Sequence, residues 1–169
     1  FTNNTASAST LPPSNAGKGE VPLETGGGAV LVYGDNPDNT CDFSFCTFTG
    51  NESVGATGGA IKSSYIDSIL DGCDFENNSS TYEDGGGGAI HHLSGPLGLK
   101  FCTFTGNSST FVGAVHVASA DDLDFSPSGK GAPETFDVTI ENCEFTSNTG
   151  GVGLSGTSTV AGGSTAIVG

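Results

Sequence analysis

The side chains of this chain able to carry chemistry are few. It has three His, five Cys, four basic residues that are all Lys, and 19 Asp and Glu, whose one dense run is Asp121-Asp122-Leu123-Asp124. The hard carboxylate oxygens of Asp121, Asp122 and Asp124, or of Asp35-Asn36-Pro37-Asp38-Asn39, are candidate Ca²⁺ ligands. Neither segment follows the Asp-x-Asp/Asn-x-Asp/Asn-Gly spacing, so a solvated acidic loop is the preferred reading and no resident cofactor or metal is expected. Glycoside hydrolysis needs two carboxylates set on either side of the scissile bond. Carboxylates within one loop do not supply that pair, and no catalytic residue is assigned. The cysteines contain no Cys-x-x-Cys pair, which removes a zinc site.

The cysteines have a different order. Cys-x-Phe-x-x-Asn occurs four times, at Cys46-Phe48-Asn51, Cys73-Phe75-Asn78, Cys102-Phe104-Asn107 and Cys143-Phe145-Asn148. Gly-Ala followed by Ile or Val interleaves with it at Gly28-Ala29-Val30, Gly59-Ala60-Ile61, Gly88-Ala89-Ile90 and Gly113-Ala114-Val115. The Cys positions repeat after 27, 29 and 41 residues. A third apolar run precedes each Cys, with Phe43, Leu70, Leu99 and Ile140 three residues before it. Phe136-Asp137-Val138-Thr139-Ile140 alternates with period two and stops at a turn signal, Glu141-Asn142.

These elements must position whatever the chain carries. Each repeat holds three short alternating runs and none with helical spacing. The expectation is an all-β fold, a right-handed parallel β-helix with three short strands per coil of about 25–31 residues. Successive coils stack at about 4.8 Å. Phe48, Phe75, Phe104 and Phe145 then form one internal stack, Cys46, Cys73, Cys102 and Cys143 a second, and Asn51, Asn78, Asn107 and Asn148 an amide ladder at a turn. Gly before Ala is expected to supply positive φ and room for a corner. Composition alone places the chain near disordered ones, with 28 Gly among 169 residues and a net charge of -15, but periodicity supplies a narrow core that needs few large residues. Residues 1–25 read as a Ser/Thr/Asn/Pro-rich extension or cap, 26–154 as the coils with an insertion loop at 119–135, and 155–169 as a Gly/Ser/Thr-rich tail or further thin coil.

Gly-Gly-Ala-Ile together with Phe-x-x-Asn resembles the repeat signature of the polymorphic outer-membrane proteins of chlamydiae, whose passenger domains are right-handed β-helical adhesins. Val138 to Phe145 is also similar to a coil of the pectin-lyase-like solenoids. The resemblance covers roughly residues 26–154. It implies an extracellular or cell-surface protein with a structural or adhesive role. The lack of Arg and of carboxylates clustered across stacked strands leads us to expect no catalysis, and the open ends of a solenoid lead us to expect a surface filament formed by end-to-end stacking. The alternative is a carbohydrate-binding or carbohydrate-active β-helix. The lyases of that class resemble one another in using Arg or Lys with Ca²⁺-binding carboxylates, and this chain has no Arg. A pI near 4.1 removes nucleic acid as a partner. No apolar run approaches the length of a membrane span, so no membrane insertion is expected. Expected partners are further copies of the chain, other surface proteins or glycans. Phe1 is not an initiator, and the chain reads as a processed product or a piece of a longer one.

Three further expectations concern surface and modification. If Ile61, Ile90 and Val115 point inward, then Lys62, His91 and His116 form an outward column, read either as a binding stripe for metal or sugar or, preferably, as ordinary solvated positions. His92 then points inward as a neutral histidine satisfied by backbone. The cysteines read as structural thiols, with Cys41–Cys46 or Cys46–Cys73 as the bridge if one forms. Sequons fall at Asn3, Asn51, Asn77, Asn78 and Asn107, making each a candidate glycosylation site. An Asn inside an amide ladder cannot also carry a glycan, so the two readings of Asn51, Asn78 and Asn107 compete.

Overall fold

The computed structural model describes residues 1–7, 26–34, 39–82, 86–110, 112–118, 136–150, 153–154, 158–162 and 166–167. They form strands and no helix. A first partial turn contributes β1 (Thr5–Ser7). The next coil has β2 (Val30–Tyr33), β3 (Thr40–Ser44), β4 (Thr47–Thr49) and β5 (Glu52–Val54). It is followed by β6 (Ile61–Ser64), β7 (Asp67–Asp71), β8 (Asp74–Glu76) and β9 (Ser79–Ser80). The third coil has β10 (Ile90–Leu93), β11 (Leu97–Lys100), β12 (Thr103–Thr105) and β13 (Ser108–Ser109). The fourth has β14 (Val115–Ala118), β15 (Phe136–Glu141) and β16 (Glu144–Thr146), and the last β17 (Gly153–Leu154), β18 (Ser158–Gly162) and β19 (Ala166–Ile167). Equivalent strands of successive coils pair in parallel, giving sheets ordered β1-β5-β9-β13, β17-β14-β10-β6-β2, β18-β15-β11-β7-β3 and β19-β16-β12-β8-β4. This is a parallel β-helix.

Two features differ from the sequence expectation. Each of the first three full coils has four strands, not three. The fourth strand follows the ladder Asn as a Ser-rich piece such as Ser79–Ser80 or Ser108–Ser109, with no apolar alternation to announce it. Phe1–Ser7 also lies in the stack rather than outside it. Thr5, Ala6 and Ser7 pair with Glu52, Ser53 and Val54, and Phe1-Thr2-Asn3-Asn4 is a further Phe-x-x-Asn. The rest of the 1–25 segment, the 119–135 loop and most of the tail's side chains lie outside the described residues.

The core is the column system. Phe1, Phe48, Phe75, Phe104 and Phe145 stack with ring centroids 4.7–4.8 Å apart and planes within 5° of parallel. Each such contact adds about 0.5–1.5 kcal/mol beyond area burial. Ile61, Ile90 and Val115 share a second buried column, and Leu70, Leu99 and Ile140 a third. The 41-residue period keeps this register, because Leu97 still faces Val138 and Phe104 faces Phe145. The columns are untouched by the extra length.

The corners explain the small residues. The position before each ladder Asn is left-handed, with φ of +54° at Asn3, +63° at Gly50, +55° at Asn77, +66° at Gly106 and +56° at Ser147. Of the two reasons expected for Gly immediately before Ala, room for close approach holds and positive φ does not. Positive φ falls one residue earlier, at Gly27 (+62°) and Gly58 (+71°). Gly59 itself is required by close approach, since an added Cβ would come within 1.9 Å of the Gly88 carbonyl oxygen and 2.6 Å of the Ser79 backbone.

Candidate functional site

The ladder is built at the turn between the Phe strand and the Ser-rich strand. The Asn78 carbonyl oxygen accepts from the backbone N–H of Asn51 at 3.0 Å and from its Nδ2 at 2.9 Å. The Asn78 Nδ2 donates to Asn107 Oδ1 and to the Phe48 carbonyl, both at 2.9 Å. The same pattern runs from Asn4 through Asn51 and Asn107 to Asn148. Asn51, Asn78 and Asn107 are wholly buried, and both protons of each amide are engaged. Glycosylation of these three is therefore incompatible with the fold, a correction to their candidacy. Asn3 and Asn77 sit one residue earlier in the left-handed corner, and both are exposed.

The thiol column lies beside the Phe stack. All five cysteines are free, so no bridge joins Cys41, Cys46 or Cys73. The reason is orientation: Cys46, Cys73, Cys102 and Cys143 each turn Sγ to the carbonyl two residues back, at 3.4, 3.6, 3.2 and 3.4 Å. Cys73 and Cys102 also reach the carbonyls of Phe43 and Leu70 in the preceding coil. Hydrogen bonds to Cys143 and Cys73, with burial, push the Cys102 thiol well up. Burial and the neighbouring Asp42 raise that of Cys41.

Lys62, His91 and His116 do share one register position on β6, β10 and β14. The structure corrects their exposure. His91 and His116 are buried, because alternation puts them on the outer side of their strands and the turn before β10 closes over that side. The Gly86 N–H donates to His116 Nδ1 at 3.1 Å, and His91 Nδ1 lies 3.2 Å from the same nitrogen. His116 Nδ1 accepts from Gly86, so the proton of the His pair belongs to His91 Nδ1. Burial, reinforced by His116 and Lys62, holds His91 well below the ordinary imidazole range. His92 points inward, as alternation requires. Its Nε2 donates to the Gly95 carbonyl at 2.9 Å, which leaves Nδ1 to accept from Ser63 Oγ at 2.7 Å. Burial lowers its pKa to about 4.

Among the described residues no group of three His, Cys, Asp or Glu is placed to hold a metal ion. Asp121, Asp122 and Asp124 lie outside those residues. What the sequence reading missed is a second left-handed corner, before each Cys: Phe45, Gly72, Phe101 and Asn142, with φ of +54°, +63°, +52° and +52°. Phe45 is 84% and Phe101 61% exposed. Two Phe in a column otherwise filled by Gly and Asn was the available signal.

Stacked Phe, Asn and Cys columns on four parallel sheets define a β-helix repeat protein. Its repeat is similar to that of a named family: residues 72–92 match the Chlamydia polymorphic membrane protein repeat. The segment runs from the Gly72 corner through Cys73, Phe75 and Asn78 to Gly88-Ala89-Ile90, one set of the motifs that recur along the chain. Comparison with curated proteins and with solved structures gives no match.

Proposed function

We propose that this chain is a rigid, non-enzymatic segment of an extracellular or cell-surface protein, with a structural and adhesive role. The observation that carries the reading is the unbroken column system. Its recurrent side chains are turned inward and satisfied there, and the register survives a 41-residue coil, so the surface can vary on a stiff support. Burial of His91 and His116 removes the imidazole stripe that favoured a carbohydrate-active reading. End-to-end association is the finer proposal, supported by the repetition of the same Phe contact from coil to coil, a pattern that a further copy can continue.

Small-angle scattering, light scattering and adhesion of protein-coated beads to cells test this. The expected result is an elongated particle, concentration-dependent growth in length, and bead adhesion above that of albumin-coated beads. A compact monomer at every concentration together with non-adherent beads overturns the reading. Cleavage of polygalacturonate by the purified chain overturns its non-enzymatic part.

A further inference from the structure

The corner that leads into β10 is held by a titratable side chain. At neighbouring corner positions a backbone carbonyl takes the amide proton, as the Thr57 carbonyl does for Gly27 and the Gly87 carbonyl for Gly59. The Gly86 N–H instead ends on His116 Nδ1 at 3.1 Å. The Gly86 carbonyl lies 3.0 Å from Ser109 Oγ, but that hydroxyl has one proton and stands closer to the Val112 carbonyl, at 2.7 Å. Of these two contacts, the imidazole is the firm anchor of Gly86. The same Nδ1 accepts from His91 Nδ1–H at 3.2 Å, between rings whose centroids are 4.9 Å apart. Both rings are buried on the outer side of β10 and β14, in register with each other.

A carbonyl accepts whatever the pH near neutrality, whereas an imidazole nitrogen accepts only while it is unprotonated. A proton on His116 Nδ1 takes the lone pair and leaves the N–H groups of Gly86 and His91 without their acceptor. A proton on His91 Nε2 keeps both bonds but places a cation in a buried position. Among the described residues the groups facing that position do not offset it. Lys62 stands beside His91 on β6, His116 beside it on β14, and His92 follows on β10 itself, and all three oppose a charge there. β17 sets Gly153 against His116. The corner brings Thr57 and Ser80, which an added Cβ at Gly86 would meet at 3.2 and 3.1 Å. None of these is an anion. A corner that lifts away hydrates both rings, which then protonate at the ordinary imidazole value of about 6.5. The open form therefore binds more protons than the closed one, so closure is favoured in full above that pH and loses ground as pH falls. We infer that the His91–His116 pair is an acid-released latch, which holds the Gly86 corner on the outer side of β10 and β14 at neutral pH and lets it go when the imidazoles take up protons. This goes beyond a structural role, since it gives one face of the β-helix two states set by pH.

Nuclear magnetic resonance of the full chain tests the latch, following hydrogen exchange at Gly86 and the imidazole nitrogen shifts from about pH 7.5 to about pH 5. Exchange is expressed as protection, which removes the intrinsic pH dependence. Ala89, whose N–H ends on the Ala114 carbonyl, is the internal reference. At the upper pH His116 should show an unprotonated Nδ1 and His91 a protonated one. At the lower pH the protection of Gly86 should fall relative to Ala89 by about 30-fold for each proton taken up on opening. In His91→Asn/His116→Asn, whose amides reach the Nδ1 positions and do not titrate, Gly86 should stay protected at both. Gly86 protection that tracks Ala89 across the range in the wild type overturns the inference, as does a protonated His116 Nδ1 at the upper pH. Both of these are read on the unaltered protein and hold even where the double variant fails to fold. An equal pH-dependent loss in a folded double variant also overturns it, since another group then drives the opening.

Discussion

Asn78→Ala is the most direct test of what holds the coils together. The substitution deletes four neutral hydrogen bonds of 2.9–3.0 Å in a wholly buried position. Asn51 Nδ2 keeps a partner in the Phe1 carbonyl, but the Asn51 backbone N–H loses the Asn78 acceptor. At a net value of about 1 kcal/mol per bond, with one buried donor left unsatisfied, the loss is about 4 kcal/mol. That is about a quarter or more of the roughly 5–15 kcal/mol that holds an ordinary domain together. Asn148→Ala removes three comparable bonds from a half-buried end of the described ladder, where water can replace them, and should cost about 1–2 kcal/mol.

Urea unfolding followed by far-ultraviolet circular dichroism measures both, with the midpoint reporting stability and the slope the surface exposed. Asn78→Asp adds a sign. A carboxylate can still accept from Asn51 but cannot donate to the Phe48 carbonyl or Asn107 Oδ1, and burial raises its pKa. Protonation restores one donor, so this variant should recover toward wild type as pH falls through that raised pKa. A loss below about 1 kcal/mol for Asn78→Ala, or equal losses at Asn78 and Asn148, would refute the claim that the buried ladder carries coil-to-coil stability.

Phe101→Gly should raise stability by up to about 1 kcal/mol by relieving the left-handed strain, whereas Phe101→Ala should not; thermal melts of the two variants separate strain from lost contact. The depressed pKa of His92 means that the folded state binds fewer protons than the unfolded one below pH of about 6.5. Stability contributed by neutral His92 is therefore full above that pH and falls as pH drops toward about 4, a loss of about 3 kcal/mol that His92→Gln should flatten in melts across this range. Secretion from eukaryotic cells should give folded protein with glycan at Asn3 or Asn77 and none at Asn51, Asn78 or Asn107, checked by peptide mass spectrometry. A thiol reagent on native protein should modify Cys41 and Cys46, which are half-buried, far faster than the buried Cys73, Cys102 and Cys143, with five equivalents taken up in denaturant.

The inner columns were legible because a stack repeats residue type at fixed chain spacing, and Phe48, Phe75, Phe104 and Phe145 could be aligned without coordinates. The Ser79–Ser80 strand was not, since backbone pairing alone makes it a strand and Ser carries no apolar alternation. Phe1 to Asn4 shows only the Phe-x-x-Asn half of the repeat motif, and the alignment was anchored on Cys. Alternation placed His91 and His116 on the correct side of their strands. It could not show that the Gly86 turn lies over that side, because a turn packing on an outer face leaves no period in the sequence. Phe45 and Phe101 were hidden for the opposite reason: the exposed corner column tolerates Phe, Gly and Asn alike, so it repeats a conformation and not a residue.

That contrast separates two kinds of position. Where a column is internal, each residue is the packing surface of the next, and a change in one coil must be matched above and below. At a left-handed corner the backbone carries the repeat through hydrogen bonds such as Phe45 N–H to Asp71 and Gly72 N–H to Lys100. The side chain there is free of the stack. Gly or Asn is the conformationally cheap occupant of such a corner, and Gly72 and Asn142 follow that rule. Phe45 and Phe101 do not, and no inner contact compensates them, with 84% and 61% of their surfaces open.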